Sequence, residues 1–376
     1  MKQRLLLGLL LIIFFTGCYD RRELDDLAIV VGLGVDLADD GDILATVEIV
    51  NPQVLGNKSA GGGGEPVWVI ESKGQTLFEA IRRMIHQSPN KLFFSHNQII
   101  VIGEELANKD IFLVTDFLLR DEEPREDAYL IVAEGKAGDI IRAKIGIGSV
   151  PALAIEKMIS SNWATSQAPM SQLIAFAKQT VAKAPGVVLG RIALRSEKEA
   201  EISFNGAAVL KRNKLVDWLT ETEARGYLWI KDQVKGGTVV VKDTKYGGNI
   251  SYEIAREKTV CRPKILQNGQ MSIEIDIAVT SRFAGLTDSR EIENPTAWSE
   301  YVLDLEEGVK REVRSVIDKA QTLQLDFLDF GALIKQYYPQ IWQKKESNWD
   351  KEFPMLPVAI KVKAQINSVG MVKRSR

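Results

Sequence analysis

Cysteine and histidine are the scarcest reactive residues of this chain, two of each among 376. Two thiols, Cys18 and Cys261, cannot build a disulfide framework. Stability must therefore come from burial, and a chain this long buries more than one core. His86 and His96 have no cysteine nearby, so a zinc site would have to borrow carboxylates from elsewhere. Both read as hydrogen-bonded structural histidines, and no metal or cofactor is expected. Beyond the first seventeen residues no run approaches the eighteen consecutive apolar residues of a spanning helix. Charge of one sign is also missing: 48 basic residues face 50 acidic ones. That balance argues against nucleic acid, which selects a strong basic stripe. The chain has no Gly-x-Ser-x-Gly elbow, phosphate loop or His-Glu-x-x-His helix, so an enzyme is not expected. Gly32-Leu33-Gly34 lacks the third glycine of a dinucleotide loop. The stretch from Asp36 to Asp42 fails as a calcium loop, because Ala38 and Val47 stand where oxygen ligands are required.

The start of the chain carries the most specific signal. Lys2 and Arg4 precede an unbroken apolar run from Leu5 to Phe15, the length of a signal-peptide core. Phe15-Thr16-Gly17-Cys18 then resembles a lipoprotein processing site, in which the cysteine receives diacylglycerol. Residues 1–17 are expected to be removed, and Cys18 to hold the protein on the outer face of a membrane. Two acyl chains, at roughly 0.8 kcal/mol per buried methylene, suffice for stable residence. Cleavage would remove two basic residues and leave 46 against 50. Cys261 would then be the sole thiol, a small core filler.

Alternating and helical patterns share the remainder. Leu27–Val35 and Ile43–Val50 predict a hairpin, and residues 56–65 a flexible glycine-rich loop. Thr76-Leu77-Phe78-Glu79 is a capping box opening a helix with Leu77, Ile81, Met84 and Ile85 on one face. Strands near 98–102 and 129–133 bracket a second amphipathic helix through Ile111, Val114, Phe117 and Leu118. Residues 149–183 read as mostly helical, with a break at Ala168-Pro169. Strands follow at 187–194 and 202–210, then a helix capped by Thr220 and Glu223, which Gly226 is placed to end. Three strands (238–241, 250–260, 271–281) precede Asn294-Pro295. After that proline comes the longest amphipathic helix, with Trp298, Val302, Leu305, Val309, Val313, Val316, Ala320 and Leu323 on one stripe. Residues 358–366 close as a strand. The expected class is α+β and multi-domain, with mixed β-sheets flanked by helices. The expected divisions are 18–145, an N-terminal mixed-sheet domain; 146–232, a middle domain; and 233–372, a C-terminal α+β domain.

The order of short motifs resembles one family, the Ger(x)C lipoprotein subunits of nutrient germination receptors in spore-forming bacteria. The likeness begins at Cys18-Tyr19-Asp20-Arg21-Arg22-Glu23-Leu24 and continues through Leu27–Asp36, Phe94–Gln98 and Ile102–Ala107. It resumes at Asp116–Asp121, Asn205–Leu210, Lys214–Leu219, Arg225–Trp229, Pro339–Trp342 and Trp349–Phe353. One departure is clear. Where the family has an Asp-x-x-Gly-Phe-Gly turn, this chain has Asp326-Phe327-Leu328-Asp329-Phe330-Gly331. Asp329 would therefore occupy a position suited to positive φ.

The resemblance implies a three-domain α+β protein without a catalytic site, located at the spore inner membrane. It also implies two partners, a multi-spanning transporter-like receptor subunit and a second membrane receptor subunit. The role so implied is a scaffold or coupling subunit needed for the response to small nutrients. A nutrient-capturing solute-binding lipoprotein is the alternative, and a cell-wall hydrolase is the least supported reading. Candidate interaction residues are Arg120 and Asp121, in a charged turn, and Trp218, Trp229, Trp342 and Trp349. These tryptophans sit in charged neighbourhoods; core packing is their default, but interfaces also favour Trp and Arg.

Overall fold

The computed structural model describes residues 27–51, 65–143, 145, 150–196, 201–242, 248–287 and 295–367. Cys18, the leader and the glycine run 61–64 lie outside them. The expected hairpin is present: β1 (Leu27–Leu37) pairs antiparallel with β2 (Ile43–Val50), and β2 with β3 (Val67–Gly74). Next come α1 (Leu77–Arg83), β4 (Lys91–Phe93), β5 (Ile99–Ile102), α2 (Glu104–Lys109) and α3 (Phe112–Arg120). Then follow β6 (Tyr129–Glu134), α4 (Ala137–Arg142), α5 (Pro151–Ser160) and α6 (Leu173–Val181). The segment closes with β7 (Val187–Ser196), β8 (Glu201–Lys211) and β9 (Lys214–Leu219).

These strands form one sheet in the order β3-β2-β1-β5-β6-β7-β8-β9, with β4 beside β1. Its centre is parallel because helices cross between β5, β6 and β7. Its flanks are antiparallel: short connections join β1 to β2, β7 to β8 and β8 to β9, and a longer one joins β2 to β3. Both faces are covered, so the central strands read as continuous apolar runs rather than alternating ones. Ile100 and Ile102 pack with α1, α2, α3 and α6, while Ile99 and Val101 pack with α4 and α5. The Gly32-Leu33-Gly34 pattern finds its reason here. A Cβ on Gly32 would lie 2.7 Å from the Ala152 side chain and one on Gly34 2.9 Å from Ile141, so the glycines let α4 and α5 approach β1.

The second sheet follows α7 (Glu221–Ile230) and comprises β10 (Thr238–Lys242), β11 (Asn249–Ile265) and β12 (Met271–Leu286), joined after the helices by β13 (Val358–Ile366). Strands β11 and β12 outrun the predicted lengths and pair as one long antiparallel hairpin, whose register shifts at Ser251/Tyr252 and Ile254/Arg256. Then come α8 (Pro295–Thr322), α9 (Phe330–Tyr337), α10 (Pro339–Lys345), α11 (Trp349–Glu352) and β13 (Val358–Ile366), which runs parallel to β12. The predicted stripe of α8 is real: Leu305, Val309, Val313, Val316 and Ala320 are fully buried. The described strands thus form two sheets. Those of the expected middle segment, 146–232, extend the first sheet, since β7 continues its parallel register beside β6. Ala207 and Val209 of β8 face the second core while Ala208 and Leu210 face the first, so a single strand joins both.

Candidate interaction site

Two of the four candidate tryptophans, Trp229 and Trp349, hydrogen-bond into buried polar knots, and Trp342 packs against the second. On α7, Thr220 caps the helix by accepting the Glu223 N–H while the Glu223 carboxylate accepts the Thr220 N–H, a complete capping box. Gly226 does not end this helix, as its composition suggested; it lies at mid-length. A Cβ there would meet the Glu312 carbonyl oxygen at 2.2 Å, so glycine is what lets α7 cross α8 closely. At that crossing the Arg225 guanidinium forks onto the Glu312 carboxylate, with Nε donating to Oε2 at 2.9 Å. Trp229 Nε1 donates to the same Oε2 at 2.9 Å, and Arg225 Nη1 to the Thr238 carbonyl at 3.0 Å. Both charges are buried, and Trp229 is wholly enclosed.

The second knot forms around Asp326. Its carboxylate accepts the Phe330 N–H at 3.0 Å, the Gly331 N–H at 2.6 Å and Trp349 Nε1 at 2.9 Å. It thereby satisfies the first turn of α9 and fixes the indole. Burial raises the Asp326 carboxyl above its ordinary range, and the two backbone N–H groups and the indole oppose that rise. Trp342 stacks edge-on against Trp349 at 5.2 Å between ring centres. Asp329, where the family turn has glycine, adopts φ 64° and ψ 28°, the left-handed region, and its carboxylate pairs with Lys231. Trp218, only partly buried, sits at the far edge of the first sheet with the Arg191 guanidinium 6.0 Å from its ring centre.

The charged turn leads to a different kind of surface. Arg120 pairs back onto Asp116 at 2.9 Å and is exposed. Asp121 accepts the Glu123 N–H at 2.9 Å and lines a groove between α1, β4 and α3. Sequence periodicity placed Ile85 on the buried face of α1 with Leu77 and Met84. Instead the helix tightens into a 3₁₀ turn at Met84–His86, which rotates Ile85 outward to 53% exposure. Phe78 is 47% exposed and contacts the half-buried Phe117 with ring centres 5.7 Å apart. Leu92, Phe94 and Leu118 make the buried floor. Composition gave no sign of this groove, since its walls come from segments about forty residues apart. The capping box at Thr76 is also only half formed. Thr76 accepts the Glu79 N–H, but the Glu79 carboxylate takes the Gln75 N–H instead. His86 and His96 are both exposed, and the His96 carbonyl accepts Gln98 Nε2 at 2.8 Å. Cys261 is half-buried, and burial pushes its thiol up to about 11.

Two family models cover most of the chain: "Spore germination protein N-terminal domain" matches residues 20–194, and "Spore germination B3/ GerAC like, C-terminal" matches residues 205–370. Spore germination protein KC of Bacillus subtilis (strain 168) is 28% identical, over 97% of this chain and 95% of its own length. Spore germination protein B3 of the same organism is 25% identical over 96% of each. Spore germination protein GerQC of Bacillus cereus is 20% identical over 99% of this chain and all of its own. The crystal structure of the GerBC protein superposes with a TM-score of 0.59 at 21% identity, covering 89% of this chain and 96% of that one, a likeness of fold. The glycine crossing at Gly226 falls in a stretch of dense family likeness, the left-handed turn at Asp329 is where the chain departs from the family pattern, and across both matched domains the chain belongs to the Ger(x)C family of spore germination proteins.

Proposed function

We propose that this chain is the lipid-anchored subunit of a nutrient germinant receptor, held at the outer face of the spore inner membrane through diacylglycerol on Cys18. Its body is a non-catalytic scaffold that couples a multi-spanning transporter-like subunit to a second membrane subunit. The observation that carries this reading is similarity to spore germination proteins across both halves of the chain. No helix of the described residues is long and apolar enough to cross a membrane, so residence there falls to the acyl chains and the partners. A second observation favours a scaffold over a nutrient-capturing lipoprotein. Solute capture needs an open cleft with convergent polar groups. Here α7 fills the junction between the sheets with Tyr227, Leu228 and Trp229, packed on Val209 and the α8 stripe.

The test is a strain carrying Cys18→Ala. The expected result is loss of the chain from the spore membrane fraction together with loss of the nutrient response. Intact receptor complexes that respond normally while the chain carries no lipid would overturn the anchoring role. Heat of binding between the purified body and a small nutrient would overturn the scaffold reading in favour of capture.

A further inference from the structure

The long hairpin of the second sheet ends in a tip that the described residues leave uncovered. Strand β13 begins opposite Ile273, so the rows Lys264–Ser272 and Ile265–Met271 project two residues past it, about 7 Å. The Leu266 N–H closes the connecting turn by donating to the Gln270 carbonyl at 2.8 Å. At this tip Ile265 is 48% exposed and Leu266 39%, and Met355, just ahead of β13, is 77% exposed. These are aliphatic side chains held in water at a place where a polar turn would serve the hairpin equally well.

The surroundings of the tip are cationic, although the chain as a whole is not. From Arg262 to Ser272 the sequence holds two cations and no carboxylate. On the solvent face behind the tip, Arg262, Lys264, Lys361 and Lys363 are set against Glu274 and Asp276. Glu274 is shared by Lys264 and Lys361, and Asp276 is taken by Arg262, so positive charge remains in excess.

The tip also lies at the end of the molecule from which the anchor departs. Strands β1, β5, β6 and β7 run parallel, so Leu27 and Gly186 stand at the same end of the first sheet. A Cβ on Gly186 would lie 2.9 Å from Phe327, just past the C-terminal end of α8. From that end of α8, Gln321 Nε2 donates to the Leu356 carbonyl at 2.9 Å. The next carbonyl, Pro357, accepts the Ile273 N–H at 2.9 Å, at the base of the tip. Nine residue steps separate Leu27 from Cys18, at most about 30 Å of extended chain. With Cys18 acylated, anchor and tip are presented to the same bilayer.

We propose that the β11–β12 tip is a second membrane contact. It seats Ile265, Leu266 and Met355 at the acyl boundary of an anionic bilayer, while Arg262, Lys264 and Lys361 meet lipid phosphates. The inference rests on the anchored-subunit reading and adds the surface that orients the body on the membrane. A stable protein interface uses about 20 residues a side, which a convex tip does not supply, whereas a bilayer admits such a tip without a matching pocket.

The test uses the chain from position 18 onward carrying Cys18→Ala, so that no acyl chain contributes. Vesicles are made of phosphatidylglycerol and phosphatidylcholine in equal parts, or of phosphatidylcholine alone. Co-sedimentation is expected with the anionic vesicles and should fall as salt rises. Ile265→Asp combined with Leu266→Asp should weaken it at least about tenfold, because several methylenes leave the acyl boundary. Leu303→Asp, at an exposed position near the opposite end of α8, should leave it unchanged. An unchanged thermal melt verifies the fold of each variant. Absence of co-sedimentation, equal binding to neutral vesicles, or a tip variant that binds undiminished would overturn the proposal. So would loss of the membrane subunits from the tip variant in detergent extracts of spores, which would assign the tip to a protein partner. The acyl mass on Cys18 of the native chain is read separately. Tip binding without acylation would sink the anchoring reading and leave the tip assignment standing, and acylation without tip binding would do the reverse.

Discussion

Replacing Glu312 by alanine should be among the most damaging single changes available in this fold. The Arg225 guanidinium and the Glu312 carboxylate are both nearly excluded from water, at 8% and 7% exposure. Their pairing repays a desolvation cost only while both are present. Stranding one charge of such a pair costs about 3–5 kcal/mol. Glu312→Ala also removes the acceptor of Trp229 Nε1, a fully buried N–H, for about 1–3 kcal/mol more. The sum approaches the whole stability of an ordinary domain, about 5–15 kcal/mol. Glu312→Gln still strands the Arg225 charge but keeps an acceptor for Trp229 Nε1, so it should be milder than alanine by about 1–3 kcal/mol. The double change Arg225→Ala with Glu312→Ala should be milder than the sum of the singles by about 2 kcal/mol, because no uncompensated charge remains. Urea unfolding followed by far-UV circular dichroism and tryptophan fluorescence measures the parent, Glu312→Ala, Glu312→Gln, Arg225→Ala and the double variant. A loss below about 1 kcal/mol for Glu312→Ala, or strict additivity in the double variant, would refute the claim that this pair holds α7 on α8.

Three further predictions concern other parts of the chain. Glu48 is buried on β2 beside the Ala152 N–H, and burial pushes its carboxyl up to about 7 from 4.5. Below the unfolded value both states are protonated and nothing is lost. As pH rises from about 4.5 through about 7 the unfolded chain ionises first, so folding loses up to about 3 kcal/mol at roughly 1.4 kcal/mol per unit. Glu48→Gln should therefore match the parent near pH 4 and exceed it in urea midpoint at pH 8; equal pH profiles would refute the assignment. Asp329→Val should cost about 2 kcal/mol, because a β-branched residue resists φ 64°, whereas Asp329→Gly should stay within about 1 kcal/mol by trading the Lys231 pair for backbone freedom. Thr220→Ala should cost about 1 kcal/mol in thermal unfolding through loss of the helix cap, and an unchanged midpoint would contradict the reciprocal bonds with Glu223.

What was legible in the sequence is what a few neighbouring residues decide between them. The Thr220 capping box, the proline opening of α8 and the alternation of β13 depend on contacts within about four positions, and the left-handed place of Asp329 was implied by the glycine of the family turn. For the same reason the family likeness, carried by short motifs in order, could be read before any coordinates. Tertiary structure alone decided which charges leave water. Arg225 and Glu312 are 87 residues apart, and nothing near either predicts the other until α7 crosses α8 at Gly226. It likewise turned Ile85 out of the core by a single tightened turn and set it opposite Phe117. The physical reason is the range of the forces involved. Backbone hydrogen bonding and side-chain caps act along the chain, whereas desolvation and close packing depend on which distant segments come to share one volume.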